Sequence, residues 1–241
     1  MDPNLTHEDQ GTSHDPDAIG YELVGRKTED LTIACCLWGN FPDEGWSDVY
    51  VKRLRDSVAR NLSRPHKFIC FADRPLQIAG VEWRALKPPS WRGNLPKTFV
   101  YSPDAGLNGR VILFDLDNVI VGSLDDMAAY RGPICVRGRL TPRPRLPDGD
   151  MISFDASQVS YLWEAASRKD IEAITTGRER FFINYAAPKA DHWQDVCPGQ
   201  VVSYRYEAAR VGLSPRVRVV SFHGRPRPHE VTERWVREHW R

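Results

Sequence analysis

The chain has 241 residues, 41% of them hydrophobic and 27% charged, and its net charge is +1. That length suits one α/β domain or two small ones, and a charge so close to zero gives no ground for nucleic acid or a membrane surface as partner. Cys35, Cys36, Cys70, Cys135 and Cys197 are an odd set without the paired spacing of a metal site. Three of them sit in apolar runs, where a thiol behaves as a small hydrophobe, so buried, reduced thiols and a cytoplasmic setting are expected. No apolar stretch approaches the roughly 20 residues of a membrane span. The opening Met1-Asp2-Pro3-Asn4 has neither the basic nor the apolar region of a signal peptide.

Residues 1–29 are polar, rich in Asp, Gly and Pro, and read as a disordered tail. The domain is expected over 30–241. Leu31 to Trp38 is a continuous apolar run, the mark of a strand covered on both faces. Tyr50 to Leu62 carries apolar residues at helical spacing. His66 to Ala72 and Val81 to Leu86 predict two further strands, and Asn94 to Tyr101 a helix. Arg110 to Phe114 is the clearest strand of the first half. Strand and helix alternating in this way imply a parallel sheet with right-handed crossovers. Ligands then bind beyond the carboxyl ends of the strands, which puts Trp38, Gly39, Asn40, Asp73 and Asp115 to Asp117 on one rim. Farther on, Ile134–Val136 and Met151–Phe154 predict strands around a basic, proline-rich loop over 137–145. Ser157–Arg168 predicts a helix, Val201–Tyr204 an extended segment and Val217–Phe222 a strand. Pro228 onward predicts a terminal helix carrying Val231, Trp235 and Val236. The fold class is α/β, with a mixed, mainly parallel sheet flanked by helices.

Asp115 and Asp117 are separated by one residue, and extended backbone sends residues i and i+2 to the same side. Two carboxylates held together repel unless something cationic lies between them, and hard divalent cations suit carboxylates. Ser123 to Asp126 instead fits a capping box, with Ser123 as N-cap and Asp126 near N3, so Asp125 and Asp126 are read as structural.

The run from Phe114 to Met127 resembles the stretch around the Asp-x-Asp motif of GT-A glycosyltransferases, especially family eight and its bacterial relatives. A second match, Val219 to Pro228, looks like that family's late strand followed by His-x-Gly-x-x-Lys-Pro. The resemblance implies a single GT-A, Rossmann-like domain and transfer of a sugar, with retention, from a nucleotide-diphosphate donor, UDP first among candidates. The acceptor, whether glycan, lipid or protein, is not named by it. It implies Asp115, Asp117 and His223 as metal ligands, with Mn²⁺ favoured over Mg²⁺ because one donor is nitrogen. Gly224, Arg225 and Arg227 would meet the diphosphate, Arg227 standing where the family often has lysine. Trp38 and Gly39 would lodge the nucleoside, Asp73 would accept from a uracil N–H, and Lys97 would help hold the donor. Asp150 to Ser153 resembles the family segment that runs along the sugar and acceptor side. Thr176 to Glu179 looks like the family's Gly-Asp-Gln segment near the transferred sugar, with Arg178 in the aspartate's place and Glu179 keeping the next polar position as a catalytic candidate.

Two alternatives compete. Phe114 to Val119 also looks like the nucleophile motif of haloacid-dehalogenase phosphatases, with Asp115 phosphorylated. That reading needs a later strand ending in an acidic pair, and the sequence past residue 140 offers none in that position. The other alternative is a nucleotide-sugar-binding module without turnover, suggested by Arg178.

Overall fold

The structure is a computed structural model that describes residues 30–39, 47–138 and 146–241. The tail over 1–29, Asn40 and the loop over 139–145 lie outside the described residues. In chain order the elements begin with β1 (Leu31–Leu37), α1 (Asp48–Asn61), β2 (Lys67–Ala72), β3 (Glu82–Ala85), β4 (Arg110–Phe114), β5 (Asn118–Ile120) and α2 (Asp125–Ala128). They continue with β6 (Ile134–Gly138), β7 (Pro147–Asp155), α3 (Ser160–Ala166), α4 (Ile171–Thr175) and α5 (Glu179–Ala186). The last are β8 (Asp191–His192), α6 (Trp193–Val196), β9 (Val201–Ser203), α7 (Ala209–Val211), β10 (Val219–Ser221) and α8 (Arg234–His239).

One sheet has the order β3-β2-β1-β4-β7-β6-β8. β1 pairs in parallel with both β2 and β4, and β7 runs antiparallel to β4, so the sheet is mixed and mainly parallel in its first half. Every residue of β1 and β4 is buried, which is why these runs are apolar throughout rather than alternating. Alternation survives as a division of labour. Ile33, Cys35, Ile112 and Phe114 belong to one core, while Ala34, Cys36, Val111 and Leu113 belong to the core on the opposite face. Each large side chain among them contributes about 2 kcal/mol relative to exposure. On α1 the buried residues are Tyr50, Val51, Leu54, Ser57 and Val58, a single stripe at helical spacing. All five cysteines are buried and free.

A second, three-stranded sheet has the order β5-β10-β9. β5 follows the aspartate pair directly and runs antiparallel to β10, with Ser221 opposite Asn118 and Val219 opposite Ile120. That register lays the residues after β10 alongside Asp115 to Asp117.

Several local expectations change. The helix expected over 94–101 is a tighter 3₁₀ turn, Leu95–Tyr101, with Pro96 near its start. The helix expected over 157–168 splits into a turn, Ala156–Gln158, capped by the Asp155 carboxylate, and the short α3. The terminal helix also splits, into Pro228–Glu230 and α8, leaving Val231 between them. Glu82–Ala85 is shorter than expected and largely exposed, as befits an edge strand. The capping box at Ser123 does not form, because Leu124 is the N-cap of α2. Asp125 accepts hydrogen bonds from the Ser63 N–H and hydroxyl, both at 3.0 Å, and Asp126 accepts from Gln200 at 2.8 Å. Both remain structural, tying α2 to the end of α1 and to the segment before β9.

Candidate active site

The rim forms where β4 ends and its antiparallel neighbour β7 begins. The Asp115 N–H donates to the Asp150 carbonyl at 2.8 Å, and the Asn118 side-chain amide donates to the same oxygen at 2.7 Å. This ties the turn after β4 to the opening of β7 and fixes the Asp115–Asp117 corner.

The carboxylates gathered there meet the chain's own cations. Lys97, only 3% exposed, reaches Asp115 and Glu179 at 2.5 Å each and the Gly149 carbonyl at 2.7 Å. Burial disfavours its charged form, but the charges of Asp115 and then Glu179 hold the ammonium well above the ordinary lysine range. One ammonium shared by two carboxylates does not satisfy both. Burial pushes Glu179 up to about 8 against the pull of Lys97, and the Asp115 charge adds to the rise. Asp117 is paired with the Arg227 guanidinium, yet burial and then the Asp115 charge push its carboxyl up to about 8 as well. Arg137 donates its Nε to both oxygens of Asp150, at 2.6 and 2.7 Å, and reaches Asp148 at 2.9 Å. Against the cost of burial, that pairing, helped by a hydrogen bond from Ser221, holds Asp150 below the ordinary carboxylate range.

His223 follows β10. The Ser203 hydroxyl lies 2.7 Å from its Nε2, and the Tyr206 ring is tilted against the imidazole at 5.4 Å. Burial and then the Arg137 charge keep the ring neutral by lowering its pKa. The run here is one residue shorter than the family's His-x-Gly pattern, since Gly224 follows His223 directly. Arg225 turns outward to pair with Glu230.

These side chains line a cavity of about 720 Å³. Trp38, Lys97, Asp115, Asp117, Glu179, His223, Gly224 and Arg227 stand in its wall, as the sequence suggests. Gly39, Asp73 and Arg225 do not. The Gly39 N–H donates to Asp73 at 2.6 Å, and Arg74 donates to the other oxygen of that carboxylate at 3.1 Å. Asp73 therefore caps the end of β1 rather than facing the cavity. Arg137, Asp148, Asp150, Arg180, Arg205 and Tyr206 join the wall without having been picked out as donor or metal groups. For Asp148 and Asp150 a signal existed, since they repeat the i, i+2 spacing of Asp115 and Asp117.

The metal set expected from sequence is not assembled in this arrangement. Among the described residues no three His, Cys, Asp or Glu side chains converge as a metal-holding group. The physical reason is that Lys97 holds Asp115, Arg227 holds Asp117 and Ser203 faces the His223 nitrogen. Donor type nevertheless suits a hard cation. Five carboxylates line the cavity, whereas Lys97, Arg137 and Arg227, the cations paired with them, are three.

No family model matches the sequence, and no curated protein matches it. Solved structures do resemble the fold. Galactosyltransferase LgtC, crystallised with donor and acceptor sugar analogs, superposes with a TM-score of 0.56 at 9% identity over 82% of this chain and 88% of that one. The glycosyltransferase GlyE of Streptococcus pneumoniae gives 0.58 at 12% identity over 83% of this chain and 56% of its own. The bifunctional glycosyltransferase WbbM gives 0.56 at 8% identity over 83% of this chain and 47% of its own. The chain thus has a GT-A-like, Rossmann-type α/β glycosyltransferase fold.

Proposed function

We propose that this chain transfers a sugar from a nucleoside-diphosphate donor, a UDP-sugar first among candidates, to a glycan, lipid or protein acceptor. The observation that carries this is the β5–β10 register. It lays His223, Gly224 and Arg227 beside Asp115 and Asp117 in one cavity, on the rim where open α/β sheets bind ligands. A volume of about 720 Å³ is of the size of small-molecule sites.

Breaking a sugar–diphosphate bond puts negative charge on the departing phosphate and positive charge on the anomeric carbon. Arg227 and Arg205 supply forked N–H donors for phosphate oxygens, and stabilising the leaving group is the largest assistance such a site gives. Trp38 offers a flat wall beside the end of β1 for the nucleoside. Glu179 and Lys97 sit on the sugar side, the carboxylate held by the ammonium. Asp115, Asp117 and His223 are the residues that would hold Mn²⁺, or Mg²⁺ in its place, and binding there requires Arg227 to release Asp117. When bound, the metal supplies Lewis-acid neutralisation of the diphosphate. The departing phosphate can itself accept the acceptor's proton, so no protein base is assigned. Retention of anomeric configuration follows the family-eight resemblance. Five buried free thiols support a reducing, cytoplasmic setting, and no helix among the described residues is long and apolar enough to cross a membrane.

Calorimetric titration of UDP with Mn²⁺ and then with excess EDTA, alongside Asp117→Ala and His223→Ala, tests this. Metal-dependent binding lost in both variants is the expected result. Absence of binding by UDP and by every other nucleoside diphosphate overturns the proposal. Binding without turnover on any nucleotide-sugar would favour the non-catalytic alternative, which Arg178 keeps open.

A further inference from the structure

The cavity wall carries six cationic side chains, and three of them pair with its carboxylates. The other three, Arg178, Arg180 and Arg205, have no carboxylate partner among the described residues. Arg205 lies by Gly224 and donates to the Arg225 carbonyl, on the side of the wall assigned to the diphosphate. Arg178 and Arg180 are different in position and in environment.

They flank Glu179 at the start of α5. From Glu179 a line of contacts runs through Lys97 to Asp115, then past Asp117 to Arg227. Arg178 and Arg180 thus stand at the end of this line opposite the diphosphate arginines. Both guanidiniums lie against the Phe181 ring, at 5.9 and 5.0 Å from its centroid. An aromatic face holds a guanidinium by its plane and leaves the N–H edge open. The Arg180 Nε is shielded from solvent, so a ligand would meet the terminal Nη edges of these guanidiniums.

An edge-on, paired set of N–H donors matches a carboxylate. We propose that the sugar side of this site recognises a carboxylate-bearing saccharide, a uronic acid, through Arg178 and Arg180. The inference rests on the donor-site proposal above and specifies its sugar. The carboxylate is carried either by the transferred sugar or by the terminal residue of the acceptor, and the two sources share one chemistry.

The experiment is calorimetric, on the full chain with Mn²⁺ present. UDP, UDP-glucose, UDP-glucuronate, UDP-galactose and UDP-galacturonate are titrated into the wild type and into a variant combining Arg178→Ala with Arg180→Ala. In a second arm, the UDP-loaded protein receives a galacturonic acid trisaccharide or its carboxyl-reduced, neutral form. Expected is a preference of about 10-fold or more for the charged sugar in one arm, as a charge-assisted fork supplies, abolished in the alanine variant. Circular dichroism establishes that the variant is folded, and Arg178→Lys with Arg180→Lys retains part of the preference because the charge remains. The arm showing the preference identifies the source. Equal binding of charged and neutral sugars in both arms, with UDP bound normally, overturns this inference and leaves the donor site standing. Failure of UDP and the other nucleoside diphosphates to bind overturns both.

Discussion

Lys97→Met tests whether the buried charge cluster is organised as described. The substitution keeps much of the side-chain volume and removes the one ammonium that touches Asp115, Glu179 and the Gly149 carbonyl. The buried Glu179 carboxylate, the one-third-exposed Asp115 carboxylate and the Gly149 carbonyl are then left without their donor. Removing one member of a buried ion pair typically costs about 3–5 kcal/mol, which for a chain of this size lowers Tm by about 6–20 °C. Urea and thermal unfolding followed by circular dichroism at pH 8 measure the loss. The loss should shrink at low pH, and its sign follows from linkage. Without Lys97 the folded-state pKa values of Asp115 and Glu179 rise further, so the folded variant holds protons that the unfolded chain has released. Its penalty is therefore largest above those raised values and fades as pH falls into the ordinary carboxylate range. Adding Glu179→Gln to Lys97→Met should recover about 0.5–3 kcal/mol, because one orphaned charge disappears. A Lys97→Met protein within about 1 kcal/mol of wild type at pH 8 would refute the reasoning, since surface pairs cost no more than that.

Further outcomes follow from the same geometry. Asp117 and Glu179 are each pushed up to about 8 in the folded chain, so the folded state binds more protons than the unfolded one between the ordinary carboxylate range and that value. Wild-type stability should accordingly fall as pH rises from about 5 to 8 in a denaturation series without divalent metal. Gly93→Ala should destabilise by about 1–3 kcal/mol. Gly93 has φ +55° and a Cβ there would lie 2.2 Å from the Gly177 carbonyl oxygen, which also accepts the Asn94 N–H at 2.9 Å. Gly149→Ala places a Cβ 2.4 Å from the Glu179 carboxyl carbon, and overpacking of this kind costs about 1–3 kcal/mol in the same unfolding assay. Arg227→Ala should weaken UDP binding about 10- to 100-fold, the worth of a hydrogen bond to a charged group, and unchanged affinity by calorimetry would remove Arg227 from the diphosphate site.

Much of the fold is legible in the chain because burial on both faces leaves a one-dimensional mark. Leu31–Leu37 and Arg110–Phe114 had to be apolar along their whole length to sit between two cores, and α1 had to space its buried residues as a helix does. The aspartate pair and His223 were likewise visible, each at the end of an apolar run. Asp73 misled because a strand-end carboxylate looks the same whether it meets a ligand or caps Gly39. Asp148 was passed over, and Asp150 was placed by resemblance alone, because they open an antiparallel strand instead of closing a parallel one.

By itself, then, the sequence determined which segments lie inside, that the sheet begins parallel, and that carboxylates and an imidazole gather at strand ends. These follow from local periodicity and the chemistry of single residues. Only the tertiary structure decided which charges meet. Lys97 reaches Glu179 across 82 positions in the numbering, and Arg227 reaches Asp117 across 110. Such pairings depend on the β5–β10 register and on the docking of α5 against β7. A charge in a sequence carries no mark of its partner, because Coulomb attraction acts through space and the fold alone sets the distance.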